Sequence, residues 1–385
     1  MAKTKAMTGA QSAAEAMRQI NPDVVPAYPI TPQTEIMQNF ATYAANGAVD
    51  TEIIRVESEH SAMSSGVGAA AAGARVMTAT ASAGLALMWE IVGVASGLRL
   101  PIVMEIVNRA LSAPINIHCD HGDSMGVRDL GWIQIYSENA QEVYENTLLA
   151  MRLVEKVLLP AMVCQDGFIT SHGVENVEIF EDKKVKEFIG EHKYPYSLLD
   201  IKKPVTHGPL ELQDYYFETR YQQIPAMEDA KKEFLKIGEE LSKITNKKYP
   251  FFDEYELKDA EAVIVVLNTT AGTTRAAIDK LREQGKKVGL LKLRLFRPFP
   301  YNEVAEALKN IKKIAVLDRS VSFGASPPLY GEIKNALYDI KYDGKLHSCV
   351  YGLGGRNIFM GDIEDIFDKL LDDKLKDHSY TGLRE

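Results

Sequence analysis

The chain has 385 residues, of which 46% are hydrophobic and 25% are charged. This length and composition indicate a soluble globular protein with two domains or slightly more, and they exclude a disordered chain. The formal net charge is −9, from 53 acidic and 44 basic residues. That balance argues against nucleic acid as a partner, because phosphate backbones call for a basic surface. No apolar run approaches the roughly 20 residues that span a bilayer, and no secretory signal opens the chain, so we predict a cytoplasmic protein without membrane contact.

Cysteine usage limits the redox chemistry that this chain can carry alone. There are three cysteines, Cys119, Cys164 and Cys349, which are far apart and form no CxxC pair. A cysteine-ligated iron–sulfur cluster needs four thiolates, and a zinc site would need further ligands at unrecognisable spacing. We therefore expect three small buried side chains and no cluster on this chain.

The pattern of apolar runs divides the chain into three parts. Residues 1–175 alternate short apolar runs with helical patterns, which is typical of βαβ units around a parallel sheet. Residues 176–258 carry charge runs and scattered prolines, and predict a connecting arm that wraps another part of an assembly and ends in a long solvated helix over 227–245. An irregular linker without a partner is the alternative. Residues 259–385 return to an α/β pattern and predict a separate second domain.

The first candidate site is Tyr28-Pro29-Ile30-Thr31-Pro32, at the end of the first apolar strand of the pattern. Ligands of open parallel sheets bind beyond the carboxyl ends of the strands. The Thr31 hydroxyl and the amides of the next helix start could hold an anion such as a carboxylate. A plain proline-rich turn with Thr31 as helix cap explains the same residues.

The second candidate site is Val56-Glu57-Ser58-Glu59-His60, which also follows a strand. Glutamates in a first helical turn are often favourable partners of the helix dipole. Alternatively, Glu59 points into an apolar cleft and exchanges a proton with a bound heterocycle. The residues leave both interpretations open.

The third candidate site is Asn108-Arg109-Ala110-Leu111-Ser112. An arginine at a strand end is suited to bidentate recognition of a carboxylate, and a surface salt bridge is the alternative. The following loop holds residues of metal-binding types: His118, Asp120, His121 and Asp123. They lack the helical i, i+4 spacing that would aim two of them together, so we predict no metal site. The glycine-rich run 352–356 lacks the strand, helix and acidic residue of a dinucleotide fingerprint.

Four motifs in this order resemble the alpha subunit of pyruvate:ferredoxin oxidoreductase, in the 2-oxoacid:ferredoxin oxidoreductase family. They are residues 28–32, 56–62, 78–88 and 108–114, and the runs 129–134 and 297–300 also match. The resemblance implies an α/β fold with a thiamine-diphosphate-binding-type parallel sheet, the pyrimidine-binding domain, over 1–175. It implies a transketolase C-terminal-like α/β domain over 259–385.

The resemblance also implies roles for individual residues. Glu59 matches the catalytic glutamate that hydrogen-bonds a ring nitrogen of the cofactor pyrimidine. Thr31 and Arg109 match the residues that grip the substrate carboxylate. The other residues expected around the pyrimidine are Tyr28, Pro29, Thr80, Ser82 and Gly84. For Thr80, Ser82 and Gly84, a tight turn with a helix cap is the structural alternative.

The implied enzyme is active only as a complex. The diphosphate and Mg²⁺ would lie on a beta subunit, [4Fe-4S] clusters on partner subunits, and gamma- and delta-type chains would complete the set. Pyruvate and coenzyme A would be the substrates, with ferredoxin or flavodoxin taking the electrons. A branched-chain 2-oxoacid is the alternative substrate, because the loop 117–121 departs from the family pattern. A transketolase-type transferase and a non-catalytic scaffold subunit are the alternatives from other classes.

Overall fold

The computed structural model describes residues 3–384. Residues 3–166 form β1 (Lys3–Thr8), α1 (Gly9–Ile20), β2 (Val24–Ala27), α2 (Thr34–Ala45), β3 (Glu52–Arg55), α3 (Glu59–Ala71), β4 (Val76–Thr80), α4 (Ser82–Leu87), α5 (Trp89–Gly97), β5 (Ile102–Asn108), α6 (Gly122–Gly126), β6 (Ile133–Tyr136), α7 (Ala140–Val157) and β7 (Ala161–Asp166). Residues 174–255 form β8 (Val174–Ile179), α8 (Asp182–Ile189), α9 (Tyr216–Tyr221), α10 (Gln223–Thr245) and β9 (Phe252–Tyr255).

The remaining elements belong to the second α/β region. They are β10 (Ala262–Leu267), α11 (Thr270–Glu283), β11 (Val288–Leu293), β12 (Leu295–Arg297), α12 (Tyr301–Leu308), β13 (Lys313–Asp318), α13 (Pro328–Asp339), β14 (Lys345–Tyr351), a short 3₁₀ turn (Leu353–Gly355), α14 (Met360–Leu371) and β15 (His378–Thr381). None of the helices formed by residues 3–384 is both long and apolar enough to cross a membrane.

The first sheet has seven strands in the order β12-β6-β7-β5-β4-β2-β3. All neighbouring pairs are parallel except β12 with β6. Alternate residues of the central strand β5 face opposite layers, because side chains alternate along a strand. Val103 and Val107 join the core with α1, α2 and α7, whereas Met104 and Ile106 join the core with α3, α4 and α5. Helices therefore cover both faces, as predicted for an α/β fold.

The second sheet has six strands in the order β15-β14-β13-β10-β11-β9. Only β9, which comes from the connecting segment, runs antiparallel to its neighbour. The two regions also exchange structure, since β12 lies in the second half of the sequence but extends the first sheet beside β6. Phe296 of β12 packs edge-on against Tyr136 of β6, within a core that contains residues of both regions.

The helix predicted over 227–245 begins earlier, at Gln223, and is not solvated on all sides. Ala230, Phe234, Ile237 and Leu241 are buried in the core that also contains α7. These positions recur every three or four residues, which places them on one face of a helix. The prediction overlooked this apolar stripe because the surrounding residues are strongly charged.

A buried ion pair joins the carboxyl ends of the two sheets. Asp166 ends β7 and accepts a hydrogen bond at 3.0 Å from Arg319, which follows β13. Its other partners include Asn268 at 2.9 Å and His121 at 2.8 Å. Burial alone would raise the pKa of Asp166, but Arg319 and His121 outweigh this effect and hold the pKa below its usual range. Asp166 is therefore a buried, ionised carboxylate that is paired across the domain boundary.

Replacing Asp166 with alanine leaves the Arg319 guanidinium buried without its counter-charge. We expect Asp166→Ala to lower the free energy of unfolding by about 3–5 kcal/mol, measured by chemical denaturation at pH 7. The effect should persist above about pH 4 and shrink as the pH falls further, because the carboxylate's stabilising contribution is lost on protonation. The control Asp365→Ala removes an exposed i, i+4 ion pair with Lys369 and should change stability by less than about 1 kcal/mol. Equal effects of the two variants would contradict the assigned role of Asp166.

Candidate functional site

The predicted site residues lie at one edge of the first sheet. The strands β5, β4, β2 and β3 are consecutive neighbours and run parallel, so their carboxyl ends meet at the same edge. Thr31 follows β2, Glu59 follows β3, Thr80 ends β4 and Arg109 follows β5. The edge of an open parallel sheet is where such proteins bind ligands.

Glu59 is the first residue of α3 and is buried. The preceding Ser58 caps the helix by accepting a hydrogen bond from the amide of Ser61. The helix start favours a carboxylate at this position. The Glu59 carboxylate itself has no hydrogen-bond partner among residues 3–384. A buried carboxylate without a partner is available to an external hydrogen-bond donor.

Gly84 brings the backbone of α4 against Glu59 and Thr80. A Cβ atom at Gly84 would lie 2.6 Å from Thr80 Oγ1 and 2.8 Å from Glu59 Oε1, so no larger residue fits without displacing them. The Thr80 hydroxyl is fully buried and is also without a hydrogen-bond partner in the described part of the chain. Two unsatisfied polar groups thus lie beside one glycine, in an arrangement that a bound polar ring could satisfy.

Ser82 and Asp123 hold the ends of β4 and β5 together. Ser82 has a positive φ of 45°, and its amide donates to Asp123 at 2.9 Å. Asp123 also accepts from the Arg109 amide at 3.0 Å and from the Asn108 side chain at 2.8 Å. Burial raises the pKa of Asp123 to about 6, although these hydrogen bonds oppose the shift. The Ser82 hydroxyl bonds to the Ala110 carbonyl, so Ser82 shapes this edge through its backbone position.

Arg109 is buried and lies next to Thr31. Its Nη1 donates to the Thr31 carbonyl at 2.8 Å, and its Nε donates to the Asn116 carbonyl at 3.1 Å. No carboxylate of residues 3–384 forms an ion pair with it, and Arg109 is buried, so the predicted alternative of a surface salt bridge is wrong. A guanidinium fixed by two carbonyls but not neutralised is prepared to bind an anion.

The other residues of the 28–33 turn frame this position. Tyr28 is half-buried at the end of β2, while Pro29 and Thr31 are exposed. Gln33 donates to the Ala79 carbonyl at 3.0 Å and accepts from the Ile30 amide at 3.3 Å. The glutamine therefore ties this turn to β4.

The glycine-rich run 352–356, here called the glycine clasp, packs against the loop that follows Arg109. The Asn116 side chain donates to the Gly354 carbonyl at 3.0 Å, and the Gly355 amide donates to the Cys119 carbonyl at 2.6 Å. Both glycines have a positive φ, and a Cβ at Gly355 would lie 2.4 Å from the Cβ of His118. The second domain thus fixes the loop whose Asn116 carbonyl holds Arg109. The sequence interpretation missed this role, for which consecutive glycines after a strand were the available signal.

Two clusters of metal-binding residue types are already neutralised by basic side chains. Donor atoms of Cys119, His121 and Asp166 lie within 4.8 Å of one another, but Arg319 Nη1 is 3.7 Å from the Cys119 sulfur. A second cluster of Glu138, Glu142 and Asp253 surrounds Lys292. A guanidinium or ammonium in the centre disfavours a metal cation at either place.

All three cysteines are buried as predicted, although Cys119 lies among charged groups rather than apolar ones.

The glycine clasp predicts a marked difference between two glycine substitutions. Gly355→Ala combines a positive φ with a steric clash and should lower the free energy of unfolding by about 1–3 kcal/mol. The control Gly361→Ala has open space around the added methyl group and should be neutral or slightly stabilising. Thermal and denaturant unfolding of both variants would measure the difference. A Gly355→Ala variant as stable as the wild type would contradict the close packing of the clasp.

Comparisons with known proteins show the family to which this chain belongs. Residues 15–239 match the family described as pyruvate flavodoxin/ferredoxin oxidoreductase, thiamine diphosphate-binding, and residues 260–363 match pyruvate:ferredoxin oxidoreductase core domain II. The pyruvate synthase subunit PorA of Thermotoga maritima is 56% identical over 99% of this chain and 98% of that protein. The ketoisovalerate oxidoreductase subunit VorA of Pyrococcus abyssi is 42% identical over 95% of this chain and 93% of its own.

Solved structures share the fold at low sequence identity. The 2-oxoglutarate:ferredoxin oxidoreductase of Magnetococcus marinus matches with a TM-score of 0.73 and 19% identity over 96% of this chain, which spans only 65% of that protein's chain. A split-gene transketolase, described as an inactive beta4 tetramer, matches with a TM-score of 0.58 and 11% identity, covering 95% and 97% of the two chains. These likenesses and the family matches confirm the predicted fold class. The chain belongs to the pyruvate flavodoxin/ferredoxin oxidoreductase family.

Proposed function

We propose that this chain is the alpha-type subunit of a multi-subunit pyruvate:ferredoxin or pyruvate:flavodoxin oxidoreductase. The complex would convert pyruvate and coenzyme A to acetyl-coenzyme A and carbon dioxide, using thiamine diphosphate. The observation that carries the proposal is the set of unsatisfied groups at one sheet edge. Glu59 and Thr80 lack hydrogen-bond partners beside Gly84, and Arg109 lacks a counter-charge, all within residues 3–384.

Glu59, Thr80 and Gly84 fit the aminopyrimidine end of thiamine diphosphate. Glu59 would hold a proton on a ring nitrogen, and Thr80 would supply or accept a second hydrogen bond. Gly84 lets the Thr80 and Glu59 side chains lie close against the backbone of α4, because a Cβ atom there would collide with both of them. Burial strengthens such hydrogen bonds because the local dielectric constant is low. Thiamine diphosphate supplies the electron sink that decarboxylation next to a carbonyl requires.

Arg109 and Thr31 would bind the carboxylate of the 2-oxo acid. Arg109 donates through Nε and Nη1 to two protein carbonyls, while its Nη2 has no partner in the described chain. A carboxylate bound to a fixed guanidinium has a defined orientation, which lowers the entropic part of the activation barrier. The exposed Thr31 hydroxyl lies at the same turn and would complete this contact.

Pyruvate is the substrate that the comparisons favour. Subunits named pyruvate synthase are 56% and 46% identical to this chain in Thermotoga maritima and Methanocaldococcus jannaschii, and a ketoisovalerate oxidoreductase subunit is 42% identical. The branched-chain alternative stays open to experiment, since one methylene in a pocket shifts preference by only about 1–3 kcal/mol.

The complete enzyme would need other subunits. The three buried cysteines are too few for a four-thiolate cluster, so [4Fe-4S] clusters would belong to partner chains. The diphosphate and Mg²⁺ would be held by a beta-type chain, because the sequence has no Gly-Asp-Gly motif with a following asparagine. Leu87 and Trp89, which follow Gly84 by three and five residues, are exposed and would pack against that chain. Gamma- and delta-type chains would pass electrons to ferredoxin or flavodoxin.

The cytoplasmic location of this protein stays a prediction.

The co-expressed complex should reduce methyl viologen with pyruvate and coenzyme A, faster than with 2-oxoisovalerate, 2-oxoglutarate or oxalate. Glu59→Gln preserves shape but removes the carboxylate, so turnover should fall by at least about 100-fold. The control Glu283→Gln, on the exposed side of α11, should stay near the wild-type rate. Full activity of Glu59→Gln would favour a scaffold role for this chain. Preference for 2-oxoisovalerate would favour the branched-chain branch, and no coenzyme A-dependent reduction would exclude the redox function.

Gly84 offers a second test that reports cofactor binding rather than turnover. In Gly84→Ala the added methyl group would displace the Thr80 and Glu59 side chains, which are the two groups assigned to the pyrimidine. We expect the complex to bind thiamine diphosphate at least about 10-fold more weakly, as measured by calorimetry. Gly331→Ala, where nothing lies within 4 Å of the added atom, is the matched control and should bind normally. Unchanged affinity of Gly84→Ala would place the cofactor elsewhere.

A further inference from the structure

The segment between α8 and α10 presents large apolar side chains to solvent. Ile201 is 90% exposed, Leu210 is 91% exposed and Phe217 is 73% exposed. Leu199 and Tyr215 are similarly exposed. We call these five residues the arm surface. Monomeric proteins rarely expose so many large apolar side chains in one stretch, and such patches mark sites of protein interaction.

The arm surface is carried by a backbone that is attached to the first domain. The Leu198 amide donates to the Ala71 carbonyl at the end of α3, at 2.9 Å. Arg99, just after α5, donates to the Gln222 carbonyl at 3.3 Å. Tyr194 stacks on His207, which in turn bonds to the Tyr196 carbonyl at 2.9 Å. These contacts hold the segment in place while its apolar side chains point away from the protein.

The two helices that contact the arm, α3 and α5, also connect it to the candidate site. Helix α3 begins with Glu59, and its C-terminal end supports Leu198. Helix α5 follows α4, and Gly84 of α4 contacts Glu59. The exposed Val94 lies midway along α5. Positions 90, 94 and 97 lie on one helical face. At the end of that face, a Cβ at Gly97 would be 3.3 Å from the Arg220 guanidinium of the arm. The surface beside Glu59 is thus continuous with the arm.

The composition of the segment indicates a protein partner. Residues 196–224 contain three basic residues (Lys202, Lys203 and Arg220) and four acidic ones (Asp200, Glu211, Asp214 and Glu218), which gives a net charge of −1. Without a net positive charge, the segment is not suited to bind nucleic acid or an anionic membrane. Exposed tyrosine and phenylalanine with leucine and isoleucine are instead typical of the centre of a protein interface.

We infer that the arm surface docks the same subunit that supplies the diphosphate half of the thiamine site. This inference rests on the proposed function, which identifies that subunit. A cofactor divided between two chains needs both halves in a fixed relative position, since small misplacements slow the reaction. An apolar contact at the far ends of α3 and α5 provides that fixation without occupying the site. It also explains why this segment retains exposed apolar side chains.

The test is the assembly of the full-length chain with its partner subunits. An arm variant carries Ile201→Ser, Leu210→Ser and Phe217→Ser, and a control carries Phe323→Ser, Tyr338→Ser and Leu383→Ser, which are exposed residues of the second domain. Each chain is co-expressed with the partner subunits and purified through a tag on the beta-type chain. We expect the arm variant to associate at least about 100-fold more weakly, and the control normally. The thermal unfolding of the arm-variant chain should match the wild type.

Two results would overturn the inference. One is normal association of the arm variant. The other is loss of contact between two copies of this chain while binding to the beta-type chain is retained. Glu59→Gln separates this inference from the proposed function, because that variant should assemble normally whatever its activity. A complex that depends on the arm but oxidises no 2-oxo acid would contradict the proposed function and leave the docking surface intact.

Discussion

The buried ion pair between Asp166 and Arg319 determines how the two domains meet. Asp166 ends β7 of the first sheet, and Arg319 follows β13 of the second. Both charges are buried, so their stability depends on mutual pairing and on the hydrogen bonds from Asn268 and His121. The pair brings the carboxyl edges of the two sheets together. The glycine clasp of the second domain consequently reaches the loop after β5.

A short chain of hydrogen bonds connects this junction to Arg109. Gly354 holds the Asn116 side chain, and the Asn116 carbonyl holds the Arg109 guanidinium, which also contacts Thr31. Because protein interiors are densely packed, each of these residues restricts the position of the next one. The second domain therefore contributes to the site by fixing the loop that holds Arg109. Its role in the proposed enzyme is to fix the position of a charge.

The placement of the predicted residues could be inferred from the sequence, because the carboxyl ends of parallel strands lie at the same edge of a sheet. Thr31, Glu59, Thr80 and Arg109 each follow or end a strand, and parallel neighbours place all four at one edge. The ion pair could not be predicted, since Asp166 and Arg319 are 153 residues apart and no local pattern relates them. The packing of α10 could have been predicted from the spacing of its apolar residues, which are Ala230, Phe234, Ile237 and Leu241. The many charged residues between them made this apolar face hard to recognise. The roles of the catalytic and binding residues themselves remain predictions.

We propose that this chain supplies the pyrimidine half of a thiamine diphosphate site that another subunit completes. The most direct test is an experimental structure of the assembled complex with thiamine diphosphate bound. We expect an aminopyrimidine nitrogen within hydrogen-bonding distance of the Glu59 carboxylate, beside Gly84, and a diphosphate contacted only by another subunit. A cofactor bound entirely within one chain, or a pyrimidine ring that does not contact Glu59, would contradict it.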